Sequence, residues 1–243
     1  MNMLADVFAE EGRKLPARLG GLKGALAIAF LLVLAALPPF KFGPAFLDPQ
    51  ILLAYTAFAM LFAGPFAAQS FGGASELATI EDKAIPARDL VVGKTVAAAL
   101  YGWVLFGAAL SAALITLNSE SSRPVWPTLR TTVALLLLSL GAAGFAAATG
   151  ARVTLAVRTA QAARQLLRLG FLFLVLMMIA LPRVLPFPLQ EHIHAALTRR
   201  QFPVTCLALA VPLLVLAVWL TISAVGELEE RRQGLSILGD VDQ

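Results

Sequence analysis

The chain has 243 residues, 59% of them hydrophobic and 14% charged, with a formal net charge of +4. A soluble domain carries roughly 25% charged residues, so too few charges are present to coat a soluble globule, and the apolar residues come in long blocks. That composition indicates an all-α integral membrane protein and argues against nucleic-acid binding: no basic, aromatic-interleaved surface domain is present, and Lys/Arg bias in cytoplasmic loops makes membrane proteins basic.

Residues 1–21 open the chain. Leu4, Phe8, Leu15, Leu19 and Leu22 fall near one helical face, with charges elsewhere. This predicts an amphipathic helix on the inner membrane surface, interrupted near Gly12 and Pro16. A basic flank followed by an apolar core also fits a signal peptide, but Asp6, Glu10 and Glu11 are unusual in such a lead-in. A retained first span is expected.

A span needs about 20 mostly apolar residues. The blocks predict six, at 22–38, 50–71, 93–117, 129–150, 167–182 and 203–225, with residues 226–243 as a tail. The whole of 22–225 forms one membrane bundle. Pro65 and Pro212 lie inside spans, where neighbouring helices can satisfy the freed carbonyls. Gly102, Gly107, Gly141, Gly144 and the run Ala146–Ala148 allow close helix approach. Packing within the chain is expected there, ahead of a dimer seam. Cys206 is the only cysteine, so the fold holds no intrachain disulfide.

Between the second and third spans lies FGGASELATIEDKAIPARDLVV. Gly72 and Gly73 break the span, Ser75 can cap a new helix, and Pro86 stops it. Leu77, Ile80 and Ala84 share a face, while Glu76, Glu81, Asp82 and Lys83 stay in water. A short helix held there could receive a push from a soluble partner; a solvated connector fits the pattern equally.

RDLVVGKT, residues 88–95, ends like a phosphate-binding P-loop. The required first glycine is Arg88, and the loop positions are the bulky Leu90, Val91 and Val92. No strand precedes it, so a P-loop is rejected. Lys94 is instead expected at the membrane–water interface.

Residues 151–168 carry four arginines and no acid, which suits anionic lipid headgroups. Residues 183–202 are too apolar for a free loop. Pro186 and Pro188 break them, one or two helical turns are expected within 189–197, and a re-entrant segment before the sixth span fits. His192 and His194 stand two residues apart and point in different directions on a helix, so a metal site is not expected.

Thirteen of the 19 Lys and Arg residues fall on the side that holds both termini, against six on the other. Both termini are therefore expected in the cytoplasm. The span cores hold essentially no ionisable residue, no catalytic motif and no acidic cluster, so the energy source is expected in another chain.

This architecture resembles that of the type-2 ABC exporter permeases. The stretch ELATIEDKAIPARDLVVGKTVAAALYG (76–102) is similar to the family's region entering span three, through Thr79-Ile80-Glu81, Pro86, Asp89-Leu90 and Gly93-Lys94. ARVTLAVRTAQAARQL (151–166) is similar to its Arg-Thr-Ala-Gln run opening span five. The chain departs from the pattern in carrying Ala78 where a glycine is typical. The resemblance implies a permease subunit, not itself an enzyme, in the bacterial inner membrane. It implies pairing with a second permease copy or paralogue and with a cytoplasmic ABC ATPase that binds ATP and Mg. It makes the segment after span two a coupling helix, with Glu76, Leu77, Ile80, Glu81, Asp82, Lys83 and Arg88 as the ATPase-facing set. The alternatives are a heme- or cytochrome-maturation exporter subunit and a non-transport membrane scaffold.

Overall fold

The computed structural model describes residues 3–18, 22–72, 85–120, 123–157, 160–198 and 200–241. The described secondary structure is helical throughout: α1 (Met3–Arg18), α2 (Leu22–Phe42), a 3-10 turn (Gly43–Leu47), α3 (Pro49–Tyr55), α4 (Ala57–Gly72), α5 (Ala87–Glu120), α6 (Leu129–Ala156), α7 (Ala160–Val184), α8 (Phe187–Ala196) and α9 (Phe202–Val241).

Among the described residues five stretches are long and apolar enough to cross a membrane: Ile28–Leu47, Pro49–Gly72, Ala87–Ser119, Leu129–Ala156 and Phe202–Arg232. This is the build of a multi-pass membrane protein. The fifth expected span, 167–182, lies within α7, a helix of 25 residues that is not among these five.

Several expected boundaries move. α1 is continuous from Met3 to Arg18 rather than interrupted. One glycine costs a helix only about 1 kcal/mol, and Pro16 falls in its last turn. α2 runs through Pro38 and Pro39 to Phe42 instead of stopping at them. Pro39 has no N–H to offer the Ala35 carbonyl, and the Tyr55 hydroxyl, 2.8 Å away, fills that place. It also stands 3.0 Å from the Ala109 carbonyl, so one side chain links α2, α3 and α5. Gly43 then turns the chain out of α2 with φ +51°, a conformation that favours glycine.

The second span is split at Thr56. Its hydroxyl donates to the Leu53 carbonyl at 2.6 Å, and α4 continues to Gly72. Thr128 caps α6, accepting from the Thr131 N–H at 3.3 Å. The last helix passes the expected end at 225 and reaches Val241. Forty residues of helix span about 60 Å, twice the hydrocarbon thickness of about 30 Å, so α9 projects beyond the bilayer.

Helix α6 lies at the centre, packed against α4, α5 and α9, with a smaller contact to α7. α4 fills the space between α5, α6 and α7, α2 lies along α5, and α1 also packs on α5. Small residues make the crossings close. A Cβ on Gly150 would stand 2.5 Å from the Gly64 carbonyl oxygen of α4. One on Gly102 would stand 2.6 Å from the Ala63 Cβ. Gly141 and Gly144 face Ala210 and Ala217 of α9, so these positions serve packing within the chain; Gly107 meets nothing within 4 Å.

Candidate functional site

Two clusters of buried apolar residues divide the bundle. The larger fills its middle and the end that holds Phe46 and Phe202. The smaller joins Val7 of α1, Phe71 of α4, Leu90 and Val91 of α5, Ala151 and Leu155 of α6, and Ala224 and Leu228 of α9. Three charged contacts between separate elements lie around this second cluster.

The central one is Lys94. It lies two turns inside α5 and is 1% exposed, so its ammonium is enclosed by protein rather than reaching water. Its Nζ is 3.0 Å from Glu11 Oε1 of α1, with both side chains buried. The same ammonium donates to the Ser70 carbonyl at 2.8 Å, in the last turns of α4. It also stands 5.8 Å from the centre of the Phe71 ring, within cation–π range. Carbonyls at a helix C-terminus lack intrahelical partners and carry the negative end of the helix dipole. Lys94 therefore neutralises a carboxylate and a helix end together, which lets a charge be buried here.

A second group links α6 to α9. Arg152 Nη1 is 2.8 Å from Glu227 Oε2, and Arg152 Nε donates to Ser223 Oγ at 3.0 Å. A third contact comes from Arg232 near the end of α9, whose Nη1 donates to the Ile85 carbonyl at 2.8 Å. Ser70 and Ile85 flank the stretch 73–84. The chain is thus gripped on one side of that stretch by Lys94 and on the other by Arg232.

The expected coupling residues Glu76, Leu77, Ile80, Glu81, Asp82 and Lys83 lie outside the described residues. Of that set Arg88 alone is described, exposed on the first turn of α5. The stretch RDLVVGKT is helix interior, with the Leu90 N–H bonded to the Pro86 carbonyl at 3.1 Å. From Leu90 onward its backbone donors are committed to the helix, so no phosphate-wrapping loop forms.

Within 183–202 the short helix expected over 189–197 is α8, which starts earlier, at Phe187, after the break at Pro186. His192 is exposed, and its Nδ1 is 2.6 Å from the Pro188 carbonyl, placed as a donor to it. Among the described residues no three metal-ligand side chains come together.

Reading the sequence alone misses Glu11, Arg152, Glu227 and Arg232 as partners. One signal was available. Glu11 follows Val7 by four residues and so shares its helical stripe, while the apolar face set by Phe8 lies to one side. Comparison with protein-family models, with curated proteins and with solved structures finds no match.

Proposed function

We propose that this chain is the membrane-spanning permease subunit of an ATP-driven exporter of the type-2 ABC kind, worked by a separate cytoplasmic ATPase that binds ATP and Mg. The observation that carries the reading is the stretch 76–102, whose letters resemble that family's entry into span three. The geometry around it supports the reading. The residues on both sides of 73–84 are tied by Lys94 and Arg232 to α1, α4, α5 and α9. A force applied there would reach four helices at once.

The placement of the ends supports a reading with six crossings. Val7 of α1 and Leu228 of α9 share one cluster, so the chain starts and finishes on the same side of the bundle. Leu155 of α6 also belongs to that side. Phe202, where α9 begins, lines a cleft at the other end with Pro44, Pro49 and Trp126. A return across the bilayer between 156 and 202 fits this arrangement, with α7 as the crossing helix. Its exposed Leu169, Leu172, Phe173 and Leu176 suit contact with lipid. The charge asymmetry puts the shared end in the cytoplasm, in the bacterial inner membrane. The segment with α8 then lies at the outer leaflet as a re-entrant element, and a second permease copy or paralogue completes the pathway.

The test is co-purification from the native host. An ATPase subunit should accompany the wild-type chain, and Ile80→Asp should release it while leaving the permease inserted. Absence of any nucleotide hydrolase from the wild-type preparation would refute the permease reading.

A further inference from the structure

We propose that α1 is a releasable strap docked on the bundle through the buried Glu11–Lys94 pair, and that Lys94 is the junction through which its docking reaches the end of α4. The inference stands apart from the permease reading, since it concerns contacts within this chain.

Among the described side chains of α1, Val7 and Glu11 are the buried ones. Phe8, the larger apolar residue, is 42% exposed, and Asp6, Ala9, Glu10, Gly12 and Arg13 are exposed as well. Phe8 therefore lies off the face that meets the bundle, on the stripe read above as facing the membrane surface. Among the described side chains the hold on the bundle includes one small apolar residue and one carboxylate on the same stripe, and the carboxylate supplies direction and specificity.

Glu11 meets Lys94 at 3.0 Å with side chains 3% and 2% exposed. A pair this deep adds little over well-packed apolar residues, but losing one partner leaves the other charge desolvated and uncompensated. The two partners are not equivalent. Besides Glu11, Lys94 holds the Ser70 carbonyl at 2.8 Å. Neutralising Glu11 removes the strap and leaves Lys94 on the end of α4. Neutralising Lys94 removes both contacts and turns a buried carboxylate toward the negative end of a helix dipole.

The experiment measures maleimide labelling of single cysteines in the full chain in lipid nanodiscs. Val7→Cys reports on α1 and Ser70→Cys on the end of α4, each with Cys206→Ser. Native Cys206, buried on α9, reports on the bundle as a whole. Glu11→Gln should speed labelling at Val7→Cys about tenfold, with Ser70→Cys and Cys206 within about twofold of their starting rates. Lys94→Met should speed both Val7→Cys and Ser70→Cys. Exchanging the charges, Glu11→Lys with Lys94→Glu, should restore slow labelling at Val7→Cys but leave Ser70→Cys fast, because a carboxylate then faces the Ser70 carbonyl. Unchanged labelling at Val7→Cys in Glu11→Gln overturns the strap. So does a parallel rise at Cys206, which would mean general loosening. If Lys94→Met does not fold, the Glu11→Gln variant and the charge exchange decide the matter.

Discussion

The two ends of the bundle are closed by different chemistry. At the end holding Phe46 and Tyr55 the seal is aromatic: the two rings meet edge-on at 5.4 Å, and Tyr55 also packs near Phe58 and Phe106. Its one polar atom is spent on the carbonyl that Pro39 leaves open. At the other end, Lys94 with Glu11, Arg152 with Glu227, and Arg232 with the Ile85 carbonyl join separate elements. Apolar packing is insensitive to the exact placement of any one atom and resists opening everywhere. Charge pairs are directional and fail when one partner leaves. The first end is built to stay closed, and the second has contacts that can be exchanged.

That contrast can be broken first in the middle, where both ends depend on the same crossing. Gly150→Val places a side chain against the Gly64 backbone, so α4 and α6 must separate. We expect the largest effect here, with loss of monodisperse protein on size exclusion. A monodisperse, thermally normal Gly150→Val protein would show that the crossing tolerates movement.

Lys94→Met should come next. It strands a buried carboxylate, at a cost of about 3–5 kcal/mol, read as a lowered unfolding midpoint in detergent. The paired change Lys94→Met with Glu11→Leu should recover most of that loss, because it removes both charges. No recovery would mean that the cost came from the lost Ser70 contact or from packing rather than from the stranded carboxylate.

Tyr55→Phe tests the aromatic end by removing one oxygen. The Ala35 carbonyl loses its partner, at about 1–3 kcal/mol, while the ring contacts remain. A loss matching that of Lys94→Met would erase the distinction between the ends. The smallest effect is expected of Arg152→Ala. Its pair with Glu227 is about a third exposed on each side, and exposed pairs contribute at most about 1 kcal/mol. That loss should shrink as salt rises, whereas the loss in Lys94→Met should not.

The sequence by itself determined the helical class, the membrane setting and the approximate place of five apolar stretches. Long apolar blocks carry those signals locally, because each helix must satisfy its own backbone in lipid. It also ruled out a P-loop, since Arg88 stands where the motif needs glycine. Element ends were less legible. Pro38 and Pro39 read as a stop until Tyr55, sixteen residues beyond Pro39, supplied the missing partner. Only tertiary structure decided the site. Lys94 reads as an ordinary interfacial lysine beside its chain neighbours; what buries it is a carboxylate 83 residues earlier and a carbonyl 24 residues earlier. Hydropathy is a property of a segment, but the cost of burying a charge is decided by whichever distant groups the fold brings within about 3 Å of it.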